Sequence, residues 1–428
     1  MRTYLNGLNE IEDGKSVDVY GWVQETRKIK KLLFLILRDN TGVIQVTVKE
    51  DNVNNYDEVY GITRESVIRV NGNVNKKSVS RQGIEIVAME VEILNMAETP
   101  LPMGVIDKVT TDFDTRLNNR FIDLRKIGNS LIFRFENELL FFIREYMHSE
   151  DFIEVHTPKI VAAATEGGAD LFPVSYFEKK AYLNQSPQLY KEILMGSGFD
   201  KVFEVGPAFR AEKENTIRHL NEFTSIDVEV SFADDEYVMG VLENSLEYAI
   251  NHAIDKIGKV LDENGYGIKK ISTPFPRVTY SELIEYLQKN NFEIKFGDDF
   301  SPEASKFISQ KYDSFYFITK WPAELRPFYT MPDKNNQNIT NSFDLQLGDI
   351  EVCSGAQRIH NYEILEKNFL KKGLNENSFN FYIKAFKFGM PPHAGWGLGL
   401  ERLVMNILKL NNVRESTLFP RDRSRLSP

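Results

Sequence analysis

Residues 202–230, VFEVGPAFRAEKENTIRHLNEFTSIDVEV, constrain the fold more than any other stretch of the chain. Phe203, Val205 and Phe209 fall on alternate positions at its start, and Ile226, Val228 and Val230 do so at its end. A period of two marks half-buried strands, so the stretch predicts an antiparallel pair. Arg210 and Glu212 stand two apart and share one face. The connecting loop carries Lys213, Arg218 and His219, and Phe223 opens the return. A sheet face with a cation, a carboxylate, a basic loop and an aromatic ring can take a polyphosphate and a stacked base, because a guanidinium grips two phosphate oxygens at once. The same residues also describe a charged hairpin on a solvated face, and only the remaining sequence separates the two readings.

A length of 428 residues predicts two or three domains with ample core. A net charge of -10 argues against non-specific coating of nucleic acid but leaves room for local basic patches. The single cysteine, Cys353, excludes an internal disulfide framework and fits a reducing compartment. No apolar run could span a bilayer, and Met1-Arg2-Thr3-Tyr4 does not open a signal peptide. A cytoplasmic protein with no membrane partner is expected.

Residues 16–95 read as five short strands, the pattern of a small closed barrel such as an OB-fold, expected over residues 1–100. Arg27-Lys28-Ile29-Lys30-Lys31 is predicted as a basic loop, Phe34 could stack on a base, and Gln45 could read a base edge. A barrel with a solvated loop and a core phenylalanine fits the same residues. From Pro100-Leu101-Pro102 to residue 129 a polar hinge is expected. The periodicity of Ile132, Phe135, Leu139, Phe142 and Tyr146 predicts a helix over 130–150 and the start of a second domain, 130–428. A strand over 152–156 then stops at Thr157-Pro158.

Ala162-Ala163-Ala164-Thr165-Glu166-Gly167-Gly168 reads as a mobile lid or a plain turn. Gln188 and Lys191 stand three apart at a helix start and point the same way. Residues 235–340 read as an insertion packed on the main sheet. Asp344 and Glu351 lie on strands beside Ser354, Gly355 and Arg358, which suits either a Mg2+ and phosphate site or cross-strand salt bridging. Gly395-Trp396-Gly397-Leu398-Gly399-Leu400-Glu401-Arg402 precedes an amphipathic helix, and its alternate glycines let a ligand or another backbone approach. Neither a dinucleotide fingerprint nor a phosphate loop is present.

In order and spacing these pieces resemble the three motifs of class II aminoacyl-tRNA synthetases. The helix and strand ending at Pro158 resemble the first, Phe209-Arg210-Ala211-Glu212 with the loop to Phe223 the second, and residues 395–402 the third. The barrel, QSPQLYK and GDIEVCSGAQR place the resemblance with the aspartyl, asparaginyl and lysyl subgroup. Within it the chain is most similar to aspartyl enzymes of the archaeal and eukaryotic type. The resemblance implies an α+β protein: a five-stranded OB-fold anticodon-binding barrel, then a catalytic domain built on an antiparallel sheet flanked by helices. It implies tRNA, ATP and L-aspartate as substrates, Mg2+ as cofactor and a homodimer built through the first motif.

The residue roles carry over by position. Arg210, Glu351 and Arg402 would be catalytic. Arg210, Glu212, Arg218, His219, Leu220, Phe223, Glu351, Gly399, Glu401 and Arg402 would bind ATP, with adenine between Phe223 and Arg402. Glu351 and Ser354, with Asp344, would ligate Mg2+. Glu166, Gln188, Lys191, Arg210, Asp227, Ser354 and Arg358 would bind aspartate, and Lys191 with Arg358 would clamp its side-chain carboxylate. Two cations awaiting a carboxylate would be left unpaired by asparagine, at a cost of about 3 to 5 kcal/mol. Phe34, Gln45 and Glu85 match anticodon-contacting positions. Gln24 and Arg81 match positions that separate the aspartate tRNA from the asparagine tRNA, and Arg81 resembles the selective pattern. The alternatives are a form that charges both tRNAs, or an asparaginyl enzyme.

Overall fold

Inward-facing branched aliphatics build the core of the first of two units. The computed structural model describes residues 2–80, 83–106, 110–162, 171–213, 216–374 and 379–428. The chain divides into Met1–Ile127 and Gly128–Pro428. In the first unit, β1 (Ser16–Ile29), β2 (Leu32–Arg38), β3 (Val43–Lys49), β4 (Val67–Asn75) and β5 (Glu85–Asn95) close into a barrel in the order β1-β2-β3-β5-β4. Leu33, Leu35 and Leu37 of β2 point inward and meet Val17, Val19, Val46, Val48, Ile68 and Val70.

Two expectations change here. Phe34 alternates with those leucines and is half-exposed outside the core, opposite Arg27 and Thr47, so it is not a core phenylalanine. The basic segment is not a loop either. β1 runs on to Ile29 and leaves only Lys30 and Lys31 as the turn, with Lys30 in the left-handed region at φ 48°. A two-residue hairpin of this kind favours positive φ because its twist matches that of the strands. A register shift between Val23 and Glu25 makes Gln24 the extra residue of a β-bulge.

Within 101–129 the chain forms two short helices, Phe113–Asn118 and Arg120–Asp123. Arg120 and Asp123 are a buried ion pair at 2.6 Å.

In the second unit, helix Ile127–Ser149 buries Leu131, Ile132, Phe135, Leu139, Ile143 and Met147 along one stripe. It is followed by β6 (Ile153–Glu154), then by a small three-stranded sheet of β7 (Ile160–Val161), β8 (Pro173–Tyr176) and β9 (Lys179–Leu183). The main sheet adds β10 (Lys201–Phe209), β11 (Glu222–Ser231), β12 (Arg277–Thr279), β13 (Phe315–Thr319), β14 (Ser342–Leu347), β15 (Ile350–Gln357) and β16 (His393–Gly399). Its order is β12-β13-β14-β15-β16-β11-β10-β6.

The hairpin expected over 202–230 is β10 and β11, in register from Lys201–Val230 to Phe209–Glu222. The sheet is antiparallel at its centre only, because the outermost pairs β12/β13 and β10/β6 are parallel. Helices separate the members of both pairs, and a crossover of that kind returns a strand in the same direction. The expected insertion therefore contributes the edge strand β12 and its neighbour β13 to the sheet itself, as well as packing on it.

Candidate active site

The glycines of β16 let two acidic side chains of β11 lie flat beneath it. A Cβ at Gly395 would come within 2.3 Å of the Glu229 carboxylate, and one at Gly397 within 3.1 Å of Asp227 Oδ1. Gly399, next on the same face, meets nothing within 4 Å. Strands β11, β15 and β16, the start of helix Gln188–Met195 and the segment 325–330 enclose a cavity of about 350 Å³.

At one end of it lies a buried charge quartet. Lys191 Nζ donates to Asp227 Oδ1 and to the Trp396 carbonyl, each at 2.9 Å, and lies 3.5 Å from Glu229 Oε2. Arg358 Nε and Nη2 donate to the two oxygens of Glu229 at 3.0 and 3.3 Å. Ser225 Oγ donates to Asp227 Oδ2 at 2.5 Å. Burial alone would lower the Arg358 guanidinium, but Glu229 and Glu192 hold it above its usual value. Two cations waiting for a substrate are therefore not what the protein holds: Lys191 and Arg358 are already paired. A buried cation without a counter-charge would carry a desolvation penalty of several kcal/mol, which the two carboxylates offset. Lys191 stands behind the wall, whereas Gln188, Asp227 and Arg358 line it.

The other end is basic and aromatic. Arg210 lies 5.3 Å from the Phe223 ring centroid, and Asn221 hydrogen-bonds the Arg210 backbone. Arg402 Nε donates to the Arg218 carbonyl at 3.2 Å, and burial lowers its guanidinium, partly offset by Glu351. Arg218 Nη2 donates to Asp349 at 2.6 Å, and His219 Nδ1 shares a hydrogen bond with Thr216. Glu212, Leu220 and Gly399 also line this end. Both oxygens of Glu401 accept from the Thr224 N–H, and burial pushes this carboxyl up to about 7 against that hydrogen bond. Glu401 thus ties β11 to helix Leu400–Ile407.

Glu351, Ser354 and Asp344 stand on β15 and β14. Glu351 opens to solvent on the cavity side. Its carboxyl is raised first by the surrounding protein and then by Asp344, and is drawn back by Arg326, Arg402 and Arg210. All three offer oxygen, the donor type of Mg2+. Asp344 Oδ1 is buried without a hydrogen-bond partner, so the set fits a hard cation. The other Asp344 oxygen is taken by Arg326 Nη2 at 2.7 Å, and Arg326 Nη1 donates to Ser354 Oγ at 3.2 Å. Among the described residues no group of three or more His, Cys, Asp or Glu side chains is placed to hold a metal ion.

The barrel residues form a separate set within the first unit. Glu85 accepts from Gln45 at 2.7 Å, Thr47 at 2.6 Å and Asn75 at 2.9 Å. Burial would raise its carboxyl, yet these hydrogen bonds hold it below the usual value. Phe34 lies on the same outer face, paired with Thr47. Gln24 Oε1 accepts from Arg38 Nη1 at 3.5 Å, and Arg38 is locked by a bidentate pair with Glu65. Glu166 and Arg81 lie outside the described residues.

Sequence reasoning missed Glu229 and Arg326. Glu229 was within reach, since it follows Asp227 at the strand period. Arg326 sits in a stretch with no periodic signal, and only the fold carries it to Asp344.

The family model for tRNA synthetases class II (D, K and N) matches residues 112–423, and that for the OB-fold nucleic acid binding domain matches residues 17–94. Over 428 residues the chain is 61% identical to an aspartate–tRNA(Asp) ligase of Picrophilus torridus, with 100% of both chains aligned. It is 48% identical over 430 residues to an aspartate–tRNA(Asp/Asn) ligase of Archaeoglobus fulgidus, again with 100% of both aligned. Among solved structures, the asparaginyl-tRNA synthetase of Pyrococcus horikoshii complexed with asparaginyl-adenylate matches at TM-score 0.93 and 30% identity, with 100% of each chain covered.

Proposed function

The chain belongs to the class II tRNA synthetases of the D, K and N type, and from that premise we propose how its residues carry out aspartate–tRNA ligation. It is an aspartate–tRNA ligase, joining L-aspartate to tRNA at the expense of ATP. The observation that carries the mechanistic reading is the buried quartet Lys191–Asp227–Glu229–Arg358 at one end of a cavity whose other end holds Arg210, Phe223 and Arg402.

The ATP base lies on Phe223 and Arg402, the α-phosphate meets Arg210, and Arg218 and His219 take the outer phosphates. Glu212, Leu220, Gly399 and Glu401 shape this end. Glu351 and Ser354, with the orphaned oxygen of Asp344, would hold Mg2+. When bound, the ion offsets phosphate charge and polarises the α-phosphorus. Gln188, with Glu166, positions the aspartate ammonium. An oxygen of the α-carboxylate forms a bond to the α-phosphorus while the bond to pyrophosphate breaks. The terminal ribose hydroxyl of tRNA then attacks the acyl carbon, and AMP leaves. No side-chain nucleophile is needed, because positioning and charge neutralisation carry both steps.

Selection against asparagine follows from donor chemistry. Lys and Arg can only donate hydrogen bonds. Glu229 occupies Arg358 Nε and Nη2. Arg358 lines the cavity, and its remaining Nη1 can only donate, so it favours a ligand acceptor oxygen over an NH2, while Lys191 behind the wall holds Asp227 in place. Pyrophosphate exchange with aspartate, asparagine and lysine in turn tests this: exchange with aspartate alone is expected, and comparable exchange with asparagine would overturn the assignment.

On the barrel, Phe34, Gln45 and Glu85 contact the anticodon, and Gln24 with Arg81 favours the aspartate tRNA over the asparagine tRNA. The bulge at Gln24 and its hold on Arg38 support this, as does the tRNA(Asp) specificity in the name of the Picrophilus relative. Equal aspartylation of both transcripts would reverse it. Phe141 is 52% exposed on helix Ile127–Ser149, an apolar surface suited to a homodimer, and a stable, active monomer in sedimentation would exclude that. No helix among the described residues is long and apolar enough to cross a membrane, and a cytoplasmic location is proposed on the single buried cysteine and the translational role.

A further inference from the structure

We infer that Glu192 and His393, which the reaction above does not use, form a buried ion pair that fixes the direction of the Gln188 amide and so positions the acceptor for the amino acid's ammonium group. The inference rests on the proposed role of Gln188 and on geometry in helix Gln188–Met195, helix Asn380–Lys387 and β16. Glu192, Tyr382 and His393 are each 0% exposed. Glu192 Oε1 accepts from Gln188 Nε2 at 2.7 Å, while Oε2 accepts from Tyr382 Oη at 2.7 Å and lies 3.1 Å from His393 Nε2. On the far side of the ring, His393 Nδ1 is 2.7 Å from the Pro391 carbonyl oxygen.

Each ring nitrogen thus faces an acceptor. A neutral imidazole has one N–H, so either tautomer would set a lone pair against an oxygen. Only the imidazolium satisfies both contacts, and Glu192 supplies its counter-charge. A carboxylate in turn can only accept. Gln188, one turn earlier on helix Gln188–Met195, must therefore turn its NH2 to Glu192 and its carbonyl away. An unsupported glutamine amide flips readily, because its oxygen and nitrogen are nearly isosteric. Here the flip would set the carbonyl against a carboxylate.

The other charges around the pair are Arg358 and Glu229, and His360 also feels His393. With Lys191 and Asp227, the buried set holds three cations and three carboxylates. Burial would lower His393, but Glu192 raises it above its ordinary 6.5; burial would raise Glu192, but His393 and Arg358 hold it below 4.5.

The test uses the full-length enzyme. Glu192→Leu should raise the KM for aspartate about tenfold or more while kcat and the KM for ATP stay within about threefold. Glu192→Gln should restore most of that near neutral pH, because its carbonyl can accept from Gln188 while its NH2 meets a neutral His393. In the wild type the KM for aspartate should climb as pH rises through the His393 value, and Glu192→Gln should flatten that climb. The chain has six histidines, so 15N-histidine NMR can read the ring directly. It should show an imidazolium near neutral pH in the wild type and a neutral ring in Glu192→Gln, which decides the matter even if the leucine variant fails to fold. A neutral wild-type ring, an unchanged aspartate KM in Glu192→Leu, or equal losses for aspartate and ATP would each overturn the inference. Normal wild-type exchange beside an unaffected Glu192→Leu would sink this inference alone. Absent exchange in the wild type would instead sink the functional reading.

Discussion

The outer face of the barrel and the floor of the cavity both present polar groups from a sheet, and they hold them in opposite ways. On the barrel, Glu85 of β5 is held by neutral donors from the two adjacent strands: Gln45 and Thr47 on β3, Asn75 on β4. In the cavity, charge is held by opposite charge. Arg358 reaches Glu229 across 129 residues and Lys191 reaches Asp227 across 36. The difference follows from burial. Water still reaches Glu85, so a few hydrogen bonds suffice; Lys191 and Glu229 have no water, and an ion without a counter-ion there would be too costly. A surface built the first way can lose one group and keep its shape. A site built the second way loses the partner along with the group.

The sharpest way to break this contrast is Lys191→Leu. It should abolish aspartate-dependent pyrophosphate exchange to within the assay floor and lower stability by about 3 to 5 kcal/mol, because Asp227 is left buried and uncompensated. Adding Asp227→Asn should return most of the stability but not the activity. If the single variant melts like the wild type, the floor is not charge-coupled as described.

Phe34→Ala probes the other surface. It should weaken tRNA charging by about 1 to 3 kcal/mol, the worth of one stacked base, and leave tRNA-independent exchange unchanged. Its melting temperature should barely move, since Phe34 stands outside the barrel core. An equal loss in both assays would mean that the residue serves folding.

The smallest effect is expected for Glu85→Gln, read by thermal melts against pH. The folded carboxyl lies below its ordinary 4.5, so its contribution to stability is present above 4.5 and fades as pH falls through the folded value. The wild type should therefore be more stable than the variant by about 1 kcal/mol at neutral pH, and the two should converge in acid. A gap that widens in acid would have the wrong sign for this account.

The residues that alternate are legible in the amino-acid sequence alone. Val17, Val19 and Val23 facing in, the β10–β11 hairpin, the Ile132, Phe135 and Leu139 part of the helix stripe and the glycines of β16 follow from a local period, and a period states which face a side chain occupies; the stripe ends on Ile143 and Met147 where the period pointed to Phe142 and Tyr146. The ordered motifs around Arg210, Glu351 and Arg402 likewise point to the ATP end of the cavity. Local period does not state which distant residue will meet that face. Lys191 reads as a cation waiting for substrate because Asp227 and Glu229, which neutralise it, arrive on another strand. Arg326 carries no signal because its partner Asp344 is brought to it only by β14. The parallel edges of the sheet escape for the same reason, since strand direction there is set by the intervening helices. The sequence by itself determined most of the strands and helices and the chemistry each could offer, although β1 ran on through the expected loop and two helices formed in the expected hinge. Only the tertiary structure decided which charges neutralise one another, because in a medium without water that choice depends on approach within a few ångströms between residues the chain keeps far apart.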